Sequence, residues 1–137
     1  MFNLALLLAE MGRGEEAEGF YRRAVEAGHT GAMVNLGNLL AEMGRGEEAE
    51  GFYRRAVEAG HTSAMFNLGN LLAEMGRGEE AEGFYRRAVE AGHTGAMLNL
   101  GNLRQRTGRG EEAEGFYRRA VEAGHTDAMF HLALLLA

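Results

Sequence analysis

The stretch Ala32 to Thr62, AMVNLGNLLAEMGRGEEAEGFYRRAVEAGHT, returns almost unchanged at Ala64–Thr94 and, with edits, at Ala96–Thr126. Met1, Met33, Met65, Met97 and Met129 are equivalent positions, so the period is 32 residues. Self-similarity at that spacing constrains the fold more than any other feature of the chain. A unit so short cannot cover its own apolar faces, and the copies must stack on one another as an array. The division is a single array over 1–137, with repeats 1–32, 33–64, 65–96 and 97–128 and a terminal helix at 127–137.

Within one period the apolar residues fall at helical spacing twice. From about Gly31 to Met43, a stripe of Ala32, Met33, Leu36, Leu39, Leu40 and Met43 predicts a first helix. Thr30 is the expected N-cap, and Gly44 is the expected C-terminal glycine with positive φ. A second helix is predicted over about Glu47 to Ala59, with Ala49, Phe52, Tyr53, Ala56 and Val57 on its apolar face. Glu47 and Glu48 open that helix and suit its dipole, and Glu50 and Arg54 are spaced for an i,i+4 ion pair. The connections Gly-Arg-Gly and Gly-His-Thr are so short that consecutive helices must be antiparallel neighbours. The expected fold is therefore all-α, an α-solenoid of antiparallel helix pairs.

Composition removes whole classes of function. The formal net charge is −6, where a general nucleic-acid binder would carry a basic stripe. There is no cysteine, hence no disulfide framework and no thiolate metal site. No apolar run approaches the roughly 20 residues of a membrane span. The opening Met-Phe-Asn-Leu-Ala-Leu-Leu-Leu-Ala lacks a basic leader and is in phase with Met33–Ala41, so it reads as a repeat helix and not a signal sequence. This leans towards the cytoplasm without fixing the compartment. A single serine and no cysteine leave no activated nucleophile, and neither an enzyme nor a cofactor is expected. His29, His61, His93 and His125 recur once per repeat at a turn, about 10 Å apart by the usual helix spacing, too far to share one metal ion.

Leu36-Gly37, Leu40, Ala49, Tyr53 and Ala56 fall on the intervals of the tetratricopeptide repeat, which the sequence resembles throughout. Ala59-Gly60-His61-Thr62, followed by Ala64 and Asn67-Leu68-Gly69, is similar to the junction of its SEL1-like branch. Met33 stands at the usual Trp position, the closing Pro is absent, and the period is two residues shorter than the 34 of that pattern. The resemblance implies a superhelix with the first helix of each pair lining a concave groove, and protein or peptide partners. On that reading Asn35, Asn38, Asn67, Asn70, Asn99 and Asn102, with Asn3, face the groove. An amide side chain offers both a donor and an acceptor, the complement of a peptide backbone. An exposed Asn is also an ordinary solvated residue, so both readings stand.

The copies differ chiefly in the first helix. Val34, Phe66 and Leu98 are equivalent and variable, as are Gly31, Ser63, Gly95 and Asp127, and both sets are expected beside the groove. In the fourth copy Leu-Ala-Glu-Met becomes Arg104-Gln105-Arg106-Thr107. Arg106 reverses the charge of Glu42 and Glu74 and is a candidate anion contact, while Arg104 is expected to snorkel to water from a core position. Both terminal helices are more apolar than the interior ones. Phe2, Leu6, Phe130, Leu132, Leu134, Leu135 and Leu136 are the candidates for self-association through the array ends, in a homo-oligomer. The alternative function is a structural, self-assembling array without a separate ligand.

Overall fold

The computed structural model describes residues 2–137 as a run of α-helices joined by three-residue turns. Among the described residues these are α1 (Phe2–Glu10), α2 (Gly14–Glu26), α3 (Thr30–Glu42), α4 (Gly46–Glu58), α5 (Thr62–Glu74), α6 (Gly78–Glu90), α7 (Thr94–Arg106), α8 (Gly110–Glu122) and α9 (Thr126–Leu136). Odd-numbered helices are the first members of the pairs (A) and even-numbered helices the second (B). From α1 to α8 each A helix packs most extensively on the B helix that follows it, and each B helix packs, less extensively, on the next A helix, which makes the chain an α-solenoid.

The turns close as the glycines dictate. At Gly44 (φ 77°) the N–H donates to Ala41 C=O at 3.1 Å, and the N–H of Arg45 donates to Leu40 C=O at 2.8 Å. That is a Schellman pair, and it requires a left-handed residue that only glycine adopts without a Cβ penalty. The helices begin one residue earlier than the sequence pattern suggests, at Thr30 and Gly46. Thr30 is consequently not the N-cap. His29 occupies that position, and its Nδ1 accepts the N–H of Ala32 at 3.1 Å.

Ala32, Leu36 and Leu40 of the A helix and Ala49, Tyr53, Ala56 and Val57 of the B helix form a buried unit that recurs in full one repeat on. Gly37 admits a close approach by the B helix. A Cβ there would lie 2.5 Å from Cε1 of Tyr53, so the glycine makes room for a flat ring. Phe52 is only half-buried. Its outer face carries the guanidinium groups of Arg22 and Arg55, each 5.5 Å from the ring centroid. Gly51 lies in open space, and no packing in the structure accounts for it.

The expectation that Arg104 reaches water is not met. It occupies the position of Leu40 and Leu72 and is 1 % exposed, held inside by ion pairs with Glu82 and Glu112. A guanidinium in an apolar slot is costly unless paired, and both acids lie on B helices within its reach. No helix among the described residues is long and apolar enough to cross a membrane.

Candidate functional site

The A helices stand side by side, and a cleft opens at each of the first three junctions between them. The α1–α3 cleft is lined by Leu6, Tyr21, Asn35, Asn38 and Glu42 and holds about 180 Å³. The α3–α5 cleft repeats it with Asn38, Tyr53, Asn67, Asn70 and Glu74 in about 160 Å³. The α5–α7 cleft, lined by Tyr85, Asn99, Asn102, Gln105 and Arg106, widens to about 440 Å³. A small-molecule pocket usually spans ~300–1,000 Å³, so the first two are subsites of one side-chain size and the third is larger. All six interior asparagines assigned to this face line these clefts, each half-buried. Asn3 lies apart, exposed beside Phe2 and His29.

The amides are tied together across repeats, which sequence spacing alone does not reveal. The Tyr53 hydroxyl donates to Asn38 Oδ1 at 2.5 Å, and Asn67 Nδ2 donates to the same oxygen at 3.2 Å. One repeat on, Tyr85 donates to Asn70 at 2.6 Å and Asn99 to Asn70 at 2.8 Å. Tyr117 reaches Asn102 at 2.7 Å and Gln105 at 2.8 Å. His131 then stands where the next Asn would be and stacks on Tyr117, centroids 5.8 Å apart. The signal for this chain of bonds is the recurrence of Tyr 15 residues after Asn, which a helical-wheel reading assigns to the core.

Electrostatics vary along this face. Burial, and then the carboxylates of Glu42 and Glu74, push the Tyr53 hydroxyl up to about 12. Burial also raises Tyr85, but there Arg106 pulls the other way against Glu74. Glu10, Glu42, Glu74 and Arg106 occupy equivalent positions at the ends of successive A helices, so the face is acidic for three repeats and then changes sign.

The apolar candidates are placed unevenly. Val34 is 7 % exposed and belongs to the core, so it offers a ligand almost nothing. Phe66 is half-buried and stacks on His93 with centroids 4.4 Å apart, and Leu98 is half-buried against the core cluster. At the ends, Leu6, Phe130, Leu134 and Leu136 are exposed, whereas Phe2, Leu132 and Leu135 are half-buried. Among the described residues no group of three His, Cys, Asp or Glu side chains is arranged to hold a metal ion.

Family models described as tetratricopeptide repeat match residues 2–28, 30–92 and 66–128. No curated protein sequence matches the chain. Among solved structures the chain is similar to YrrB, described as a TPR protein with an unusual peptide-binding site. That match has 26 % identity and a TM-score of 0.73 over 98 % of this chain and 73 % of YrrB. It is similar in fold to BtubC from P. vanneervenii (22 % identity, TM-score 0.80, 96 % of this chain and 68 % of that one). The same holds for MamA (19 % identity, TM-score 0.78, 93 % and 78 %).

Proposed function

The chain belongs to the tetratricopeptide-repeat family and is a protein-interaction module; we propose that its A-helix face holds an extended peptide through a ladder of asparagine amides. The observation that carries this reading is the bond pattern in the clefts. Asn38 gives its carbonyl to Tyr53 and Asn67, which leaves its Nδ2 for a ligand, while Asn67 spends a donor and keeps its Oδ1. The α3–α5 and α5–α7 junctions thus each offer a donor and an acceptor on side chains already held in place, and pre-ordered groups lose less entropy on binding. A peptide N–H and C=O need that pair whatever the residue between them. The likeness to YrrB, a TPR protein with a peptide-binding site, supports the same reading. We further propose, on the Ala59-Gly60-His61-Thr62 junction, that the chain is of the SEL1-like branch.

Selection from a random peptide library by the full chain, repeated with Asn67→Ala, tests the ladder. Asn67 lies outside the tyrosine bonds, so its loss leaves the core intact. The expected outcome is a set of binders weakened tenfold or more by the substitution, the worth of about one buried hydrogen bond plus an orphaned partner. A library that yields no binder, or binders indifferent to Asn67→Ala, overturns it.

A second reading has its own observation. Phe130, Leu134 and Leu136 are 64, 59 and 56 % exposed on α9, and Leu4 and Leu7 are 44 and 51 % exposed on α1. On this reading those faces join copies of the chain end to end. Light scattering that shows only monomer at high micromolar concentration ends it, and Phe130→Glu with Leu134→Glu is expected to abolish any oligomer.

A further inference from the structure

On the side of the solenoid away from the asparagines, the B helices are linked by a repeating four-membered ion network. Glu18 holds Arg22 and Arg45, at 2.8 and 2.6 Å, and Glu48 holds the same two arginines at 3.1 and 2.8 Å. The unit recurs one repeat on as Glu50, Arg54, Arg77 and Glu80. In both, two arginines match two glutamates, and the outer arginine (Arg22 or Arg54) also lies over a phenylalanine, Phe52 or Phe84, at 5.5 or 5.4 Å.

The third junction is built differently because Arg104 replaces the leucine beneath it. Arg104 takes Glu82 through Nη1, and its Nε lies 3.0 Å from Glu112 without hydrogen-bond alignment. Arg109, the counterpart of Arg45 and Arg77, is left with Glu112 alone. Arg86, the counterpart of Arg22 and Arg54, keeps only Glu82 and makes neither the second ion pair nor the stack on Phe116. Its side chain is 51 % exposed, against 38 and 40 % for its counterparts. A cleft of about 340 Å³ opens where that stack would be, lined by Arg86, Arg104, Glu112, Gly115, Phe116 and Arg119. Three arginines (Arg86, Arg104, Arg109) now face two glutamates. Arg104, 1 % exposed, lines this cleft with Nη2 buried and bonded to nothing.

An unpaired guanidinium N–H in so buried a place is an unmet demand for an acceptor. We propose that this cleft is a binding site for an oxyanion carried on an apolar body, a phosphate monoester or a carboxylate. Arg104 Nη2 is its buried donor, Arg86 and Arg119 close over the charge, and the part of the Phe116 ring that Arg86 leaves uncovered takes the body, Arg119 lying over the ring at 6.0 Å. A planar fork suits either oxyanion. The excess positive charge is local, for the chain as a whole carries −6. Nothing in this site uses the asparagine face, so it stands or falls independently of the peptide ladder.

Titration of the full chain with phenyl phosphate, benzoate and inorganic phosphate, followed by NMR of the arginine Nε–H signals and by calorimetry, tests the site. The informative variant is Arg104→Leu, which restores the residue present at Leu40 and Leu72 and so leaves a packed core. Phenyl phosphate or benzoate is expected to bind the native chain at least tenfold more tightly than the Arg104→Leu chain, the scale of one charge-assisted hydrogen bond. Arg119→Gln, an exposed change, is expected to weaken it several-fold. The better of the two organic anions identifies the oxyanion. Equal binding to native and Arg104→Leu chains, or no saturable binding by either organic anion, overturns the proposal. Inorganic phosphate binding as tightly as phenyl phosphate removes the role given to Phe116.

Discussion

His29 and His93 fold over the starts of α3 and α7 and accept the N–H groups of Ala32 and Ala96, each at 3.1 Å. At the other two junctions the Nδ1 of His61 and of His125 is buried without a partner. The difference lies two residues on. A Cβ at Gly31 or Gly95 would stand 3.1 or 3.0 Å from the imidazole Cε1, tight enough that the ring must give way by a few tenths of an ångström, and the uncapped histidines are followed by Ser63 and Asp127. The capping rings stack on Phe2 and Phe66, centroids 4.4 Å apart in both cases, where the uncapped junctions have Val34 and Leu98. The two variable positions therefore surround one imidazole and change together, Phe with Gly and Val or Leu with a larger residue. Their variation thus coincides with a change in packing around the cap. Gly31→Ser is expected to expel His29. A lost cap costs about 1 kcal/mol, while removing a helical glycine returns a similar amount, so global stability is a poor readout. Faster amide exchange at Ala32, with none at Ala96, is the expected sign, and unchanged protection at Ala32 contradicts it. Gly69→Ala is a sharper case. Its Cβ would meet the Tyr85 ring at 2.7 Å, and overpacking of about 1–3 kcal/mol should outweigh the roughly 1 kcal/mol of helix propensity gained. In α1 alanine is tolerated at Ala5, where Leu6 removes the bond that holds the tyrosine hydroxyl. Asn70→Leu should accordingly soften the cost of Gly69→Ala in a double-mutant cycle read by urea unfolding.

Between elements, the B helices depend on carboxylates more than their sequence suggests. The i,i+4 pair of Glu50 and Arg54 is legible from spacing, and the structure contains it at 2.8 Å. What spacing does not give is that Glu50 also holds Arg77, 27 residues away, at 2.7 Å, because that contact exists only once two repeats have stacked. Helix pairs, glycine turns and most of the core stripe were readable because each is fixed by local periodicity and backbone conformation; Met43, which spacing puts on that stripe, is exposed at the helix end. Tyr53 to Asn38, the burial of Arg104 and the placement of Val34 were not, since each depends on which neighbour the next helix delivers. The third junction has the strongest consequence for pH. Its hydrogen bond to Arg104 holds Glu82 at about 2, below the ordinary value of 4.5. A carboxylate with a depressed folded pKa stabilises the fold above its unfolded pKa, and that stabilisation is lost as pH falls through the folded value. The urea midpoint should therefore decline from about pH 4.5 to about pH 2. Glu82→Gln should lower it at neutral pH and shallow the acid slope, without removing it, because Glu18 and Glu50 are depressed by their own arginines. An acid slope identical in the Glu82→Gln chain contradicts the pairing.

Along the whole molecule the repeats are nearly identical, yet the two ends of the A-helix face are not. Glu10, Glu42 and Glu74 mark the same helix position in successive repeats, and Arg106 reverses it in the fourth. Neighbouring A helices stand about 10 Å apart, and an extended chain advances about 3.4 Å per residue, so roughly three peptide residues pass each repeat. A peptide on this face therefore meets acid, acid, acid and then base over about nine residues. Orientation follows from charge. A peptide with Arg near one end and Glu about six to nine residues away should lie with its Glu at Arg106 and its Arg at Glu10 or Glu42. These groups are exposed, and the Debye length is about 8 Å at physiological ionic strength, so the preference should be strongest in dilute buffer and fade with salt. A spin label on the acidic end is expected to broaden amide signals of α7, and the same label on the basic end those of α1 and α3. Arg106→Glu makes all four positions alike and should erase the preference while leaving the asparagine ladder intact. Broadening spread equally over both ends in the native chain at low salt would show that charge does not orient the ligand, whatever holds its backbone.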